Sequence, residues 1–155
     1  MGIEIEKKFL LNNDEWKKEA GDGEQFRQGY MSGSNRSSVR IRVAGDKANI
    51  NIKSATLGVT RKEYEYEIPV EDANEMLDSM CERPFIEKRR FFIKRGPHTW
   101  EIDVFEGDNE GLIVAEIELK DPDEPFDIPG WIGEDVSEDP KYYNVCLVNH
   151  PYKDW

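Results

Sequence analysis

Apolar residues recur along this chain mostly with a period of two, the spacing of strands whose side chains leave alternate faces. Ile3, Ile5 and Phe9 alternate with Glu4, Glu6 and Lys8, and Val39, Ile41 and Val43 with Arg40 and Arg42. Ile50 and Ile52 alternate with Asn49, Asn51 and Lys53, and Tyr64, Tyr66 and Ile68 with Glu63, Glu65 and Glu67. Phe91 and Ile93 follow Lys88 and Arg90 within 86–95, and Trp100, Ile102 and Val104 alternate with Glu101 and Asp103. Ile113, Ala115, Ile117 and Leu119 alternate with Val114, Glu116, Glu118 and Lys120. With Gln25 to Met31 added, the pattern predicts about eight strands.

Helical spacing is confined to a few places. Ala73, Met76, Leu77 and Met80 predict a helix over 71–82, closed by Pro84, that lies across the sheet. A second is predicted from Ser137 or Glu138 to Asn149, with Ser137 as cap, Pro140 in the first turn and His150-Pro151 as the stop. A short one is predicted over 13–20. Turns are marked by Gly21-Asp22-Gly23, Ser32 to Ser38, Gly45-Asp46, Gly96-Pro97 and Gly107 to Gly111. Residues 121–130, with three Pro and four acids, read as a surface connection. No repeat or linker divides the chain, so 1–155 reads as one domain.

Composition narrows the partners. Of 155 residues, 33 are Asp or Glu and 21 are Lys or Arg, a net charge of -12. Neither nucleic acid nor an anionic membrane is expected to bind, and an anionic ligand needs a local basic site. No apolar run approaches the roughly 20 residues of a membrane span, and Met1 to Leu11 is too polar and short for a secretory signal, which predicts a soluble, cytoplasmic protein. Cys81 and Cys146 lack the spacing of a redox or metal motif and read as reduced thiols.

Charge placement changes the picture more. Charged residues make up 35% of the chain, above the usual quarter. The alternating polar positions collect seven acids, Glu4, Glu6, Glu63, Glu65, Asp103, Glu116 and Glu118, and six bases, Lys8, Arg40, Arg42, Lys53, Lys88 and Arg90. If the strands close into a barrel, one of its faces lines a lumen, and a lumen lined this way is a charged tunnel. Unpartnered cations would repel there and unpartnered carboxylates would take up protons, so a fitting ligand carries both charges. Oxygen-only carboxylate clusters suit Mg2+ or Mn2+, and Arg and Lys clusters suit phosphate oxygens. A metal-bound polyphosphate meets both demands. No Ser, Cys or His is placed for a nucleophilic triad, and no P-loop motif occurs.

Glu4-x-Glu6-x-Lys8 at the N-terminus resembles the ExExK signature of the CYTH, or triphosphate tunnel metalloenzyme, superfamily. The resemblance continues in order through Arg40 and Arg42, Lys53, Glu63 and Glu65, Lys88 and Arg90, Asp103, and Glu116 and Glu118, then Trp131-Ile132-Gly133, Tyr142 and Asn144. It implies an α+β, mainly β fold: an eight-stranded antiparallel closed β-barrel with a charged lumen and flanking helices. It further implies a divalent-metal-dependent triphosphatase that hydrolyses inorganic triphosphate to pyrophosphate and phosphate, with Mg2+ or Mn2+, two ions, as cofactors. The acids would hold metal, with Glu4, Glu6, Glu116 and Glu118 foremost; the bases would clamp phosphates; Lys8, oriented by Tyr30, would be catalytic. Homodimers are common in the family, so a homodimer is a possible assembly. Relatives often carry a basic residue just after the Asn, where this chain has Val145, with Lys141 the residue that could serve instead.

Other readings stay open on the residues alone: thiamine triphosphatase or general nucleoside triphosphatase, a class IV type adenylate cyclase making cyclic AMP and pyrophosphate, and a polyphosphate-binding module without turnover. Strand by strand, each charged pair also reads as a solvated face with cross-strand salt bridges; the ordered set does not. Glu67, Glu101 and Lys94 fall outside the family motifs and read as surface charge. His98 and His150 read as turn and helix-end residues, and Trp100 and Trp131 as core.

Overall fold

A computed structural model describes residues 2–31, 35–55 and 58–155. Met1 and residues 32–34 of the turn read at Ser32 to Ser38 lie outside them. Among the described residues ten strands form: β1 (Glu4–Leu11), β2 (Glu24–Tyr30), β3 (Ser37–Ala44), β4 (Lys47–Ser54), β5 (Thr60–Arg61), β6 (Glu63–Ile68), β7 (Ile86–Arg95), β8 (His98–Phe105), β9 (Ile113–Glu118) and β10 (Ile132–Asp135). They pair in the order β10-β1-β9-β8-β7-β2-β3-β4-β6, with β5 on β1, and every pairing is antiparallel. The expected count of eight is therefore corrected to ten. β5 has two residues and β10 has four, too few to show an alternation in sequence.

Two short turns set the register on which the site depends. Ala44 pairs with Lys47 across Gly45-Asp46, and Arg95 with His98 across Gly96-Pro97. Each loop has its glycine in the first central position at φ +61°, the place where a two-residue hairpin of the II′ kind calls for glycine. Counting back from these turns puts Arg40 opposite Asn51, Arg42 opposite Asn49 and Arg90 opposite Asp103.

Period-two alternation then sorts the side chains. Odd positions of β1, such as Ile5 and Phe9, join Trp100, Ile102, Ala115, Ile117 and Trp131 in one apolar cluster, which Trp16 and Phe126 help to cover. Ile41 and Ala48 of β3 and β4 pack beneath helix α1 (Val70–Met80) through Ala73 and Leu77. The predicted helix over 71–82 is thus present. Gly29 of β2 lets the helix end approach, because a Cβ there would stand 2.9 Å from both Leu77 and Cys81. The opposite face of the same strands is the charged one.

The other predicted helices shorten. Residues 13–20 supply only a 3-10 turn, Glu15–Lys18. The second predicted helix becomes a 3-10 turn, Pro140–Tyr142, followed by helix α2 (Asn144–Asn149), because Tyr143 between them is extended. Ser137 is no cap: its hydroxyl accepts from the Lys8 backbone N–H at 2.9 Å and donates to Asp135 Oδ1 at 2.6 Å, tying this segment to β1. Among the described residues no helix is long and apolar enough to cross a membrane.

Candidate active site

The charged faces of the strands border a cavity of about 390 Å3. Fourteen of its twenty lining residues are charged, seven acids and seven bases. β1 contributes Glu4, Glu6 and Lys8; β3 contributes Arg40 and Arg42; β4, Lys53; β6, Glu63 and Glu65; β7, Lys88 and Arg90; and β9, Glu116 and Glu118. Tyr30 of β2 lines it beside them, in register with Arg40. Of the seven acids, the six bases and Tyr30 expected from the sequence, all but Asp103 therefore face one space.

Asp103 is fully buried behind that lining. Its Oδ2 takes Lys88 Nζ at 2.7 Å, and its two oxygens take Arg90 Nε and Nη2 at 2.7 and 2.9 Å. Burial alone would raise its carboxyl, but Arg90 and Lys88 outweigh this and hold it below the usual carboxylate range. Arg90 also reaches Glu101 at 2.6 Å and Glu116 at 3.4 Å. Lys8 stands 3.4 Å from Glu116, donates to the Tyr142 carbonyl at 3.2 Å and lies 5.7 Å from the Tyr143 ring centre. These groups, rather than Tyr30, hold its ammonium. Lys53 bridges Glu4 at 3.0 Å and Glu63 at 3.3 Å.

Like charges crowd at two poles, which meet where Arg90 contacts Glu101 and Glu116. At the β1–β9 side Glu6 lies directly opposite Glu118, and Glu101 opposite Glu116, like charges where a solvated sheet face would place opposite ones. Burial, then Glu116 and Glu4, push the Glu6 carboxyl well above its ordinary value, and burial, then Glu4 and Glu63, raise Glu118. At the β2–β3–β7 side Arg42, Arg90 and Lys88 gather over Phe26, with Arg42 4.6 Å and Arg90 4.9 Å from the ring centre. Burial, then Arg40 and Arg90, pull Arg42 down to about 9, and burial pulls Lys88 down to about 7 although Asp103 opposes it.

Each pole also holds a buried atom without a hydrogen bond. Glu4 Oε2 has no hydrogen-bond donor, its nearest cation being Arg61 Nε at 3.8 Å, and Arg40 Nε has no acceptor. A lone acceptor among crowded carboxylates suits a cation, and a lone donor among crowded cations suits an anion. Among the described residues no three Asp, Glu, His or Cys side chains converge into a ready cation cage. A hard cation would therefore be completed by ligand oxygens and water, which is how Mg2+ is usually held beside phosphates.

Several lining residues were not foreseen. Glu101, read as surface charge, lines the cavity and binds Arg90. Its parity with Asp103, two positions on, was the signal available. Arg61 comes from β5, which no alternation marked. Asn51 carries both Glu63 and Glu65 on its side-chain nitrogen, at 3.1 and 3.0 Å. Val145 does line the cavity, but Lys141 does not; its ammonium lies over the Trp155 ring at 4.6 Å. Lys94 and Glu67 are exposed, as read.

Comparison with known proteins agrees with this geometry. The CYTH domain family model matches residues 2–146. An inorganic triphosphatase of Acetivibrio thermocellus is 49% identical over 155 residues, covering 100% of this chain and 99% of its own. One of Nitrosomonas europaea is 36% identical over 153 residues, with 94% and 96% covered. A crystal structure of an inorganic triphosphatase superposes with a TM-score of 0.62 at 33% identity, over 94% of this chain and 93% of that one. The chain belongs to the CYTH domain family.

Proposed function

We propose that the protein hydrolyses inorganic triphosphate to pyrophosphate and phosphate within the charged cavity, and that residues 1–155 act as one domain. The observation that carries this is the pair of poles in one cavity, with an acceptor that lacks a hydrogen bond, Glu4 Oε2, at one and a donor that lacks one, Arg40 Nε, at the other. A metal-bound triphosphate satisfies both at once, and two full-length relatives bear the name of that activity.

We also infer that the sheet closes into a tunnel. β5 pairs with the start of β1, Glu63 N–H donates to the Gly2 carbonyl at 3.1 Å, and β6 runs on from there to pair with β4. Taken as one bent strand, β5 and β6 complete a ring of eight, with β10 as an addition to β1.

Phosphoryl transfer needs positioning and charge neutralisation more than covalent chemistry. Glu4, Glu6, Glu116 and Glu118 would hold Mg2+ or Mn2+, two ions, which neutralise phosphate oxygens and acidify the attacking water when bound. Arg40, Arg42, Lys53, Lys88 and Arg90 would clamp the phosphate chain. Lys8, fixed by Glu116 and Tyr142, would stabilise charge on the transferred phosphoryl group, with Tyr30 beside Arg40 shaping the same wall. Asp103 would act behind the lining, holding Lys88 and Arg90 in place, and not as a ligand. Phosphate release from inorganic triphosphate, ATP and thiamine triphosphate, with Mg2+, Mn2+ or EDTA, tests the reading. Metal-dependent release dominated by inorganic triphosphate is the expected result; cyclic AMP with pyrophosphate from ATP would move the chain to the cyclases.

A further inference from the structure

The cations of the cavity fall into two classes. Lys8, Lys53, Lys88 and Arg90 each lie within ion-pair distance of a carboxylate. Among the described residues no carboxylate reaches Arg40 or Arg42; Arg42 Nε instead donates to the side-chain oxygen of Gln28 at 2.9 Å. Gln28 is fully buried in β2, directly opposite Arg42. Its amide nitrogen donates to Asn144 Oδ1 at 3.1 Å, and the same oxygen takes Lys88 Nζ at 3.0 Å.

Guanidinium and ammonium groups only donate, so both amides are fixed in orientation: Gln28 Oε1 faces Arg42, and Asn144 Oδ1 faces Lys88. With Nε held and its plane over Phe26, Arg42 keeps its two Nη groups as the donors for a ligand in the cavity it lines. A carboxylate in place of Gln28 would aim the guanidinium equally well but cancel its charge. An apolar side chain would leave it unaimed.

We propose that Gln28 is a positioning residue for triphosphate binding, whose neutral amide directs Arg42 at the substrate without neutralising it and ties that direction to α2 through Asn144. The inference rests on the triphosphate reading above. Gln28→Met keeps the volume and removes both hydrogen bonds, whereas Gln28→Glu keeps the acceptor and adds a charge. Steady-state kinetics with inorganic triphosphate and saturating Mg2+ are expected to show KM raised at least about five-fold in each, with kcat changed less than about two-fold, the split that marks a loss of uniform binding. Thermal unfolding identifies which variants fold, and any one that folds decides; if neither does, Asn144→Ala, which cuts the tie from its other end, is read for the same split. KM within two-fold of the parent, or a fall in kcat at unchanged KM, overturns the proposal. A parent chain with no triphosphate turnover would instead overturn the functional reading beneath it.

Discussion

At the scale of single residues, burial decides what each charge can do. Lys8 is buried against Glu116 and aimed by a backbone carbonyl, so it is held ready for a developing negative charge. Lys8→Ala is expected to lower kcat by about 10²–10³, the scale of losing one preorganised donor, with a much smaller change in melting temperature; an unchanged rate would remove Lys8 from the chemistry. Glu116→Gln is expected to raise the divalent-cation concentration needed for half-maximal rate, as read in a metal titration. Asp103 acts on stability. Its folded carboxyl titrates below its unfolded value, so its contribution is present above the ordinary carboxylate range and is lost as pH falls through the folded value. Asp103→Asn is expected to destabilise by on the order of 3 kcal/mol near neutral pH, leaving Lys88 and Arg90 buried without their counter-ion. It should also flatten the acid limb of melting temperature against pH. The alternation of Glu and Arg with apolar neighbours made this set legible in the sequence, but not the difference between Asp103 behind the wall and Glu101 on it. Both share one parity, and depth behind the cavity wall depends on how strands tilt past one another.

Among the elements, local turn chemistry and helical spacing were readable because they are set by neighbouring residues. Gly45-Asp46 and Gly96-Pro97 fix two hairpins, and with them the pairings that set Arg42 opposite Asn49 and Arg90 opposite Asp103. Ala73 and Leu77 mark the buried side of α1. Leu77→Ala is expected to lose about 2–5 kcal/mol of stability, as for other buried leucines, with kcat/KM close to the parent, since α1 packs on the apolar face of β3 and β4 and not in the cavity; chemical denaturation with parallel assays checks both halves. The C-terminal helix is shorter than its spacing predicts because Tyr143 is extended, and it does not start at Ser137 because that hydroxyl is taken by the distant backbone of Lys8. β5 and β10 went unseen for a related reason: their pairing is made by β1, far away in sequence, and not by any pattern of their own.

Across the whole molecule, two apolar clusters cover one face of the sheet, under α1 and the 119–132 connection, while the charged residues share the other face with a third cluster that includes Phe105, Val114 and Leu147. A net charge of -12 repels a polyphosphate at long range, and the cavity itself balances seven acids with seven bases. Affinity must then come from local attraction at the two poles and from a cation that travels with the substrate. Calorimetric titration with a non-hydrolysable imido analogue of inorganic triphosphate, in the presence and absence of Mg2+, tests this most directly. The two-pole account expects Mg2+ to tighten binding at least ten-fold; affinity that is equal without Mg2+, or weaker with it, would contradict the account and reduce the cavity to a simple anion site.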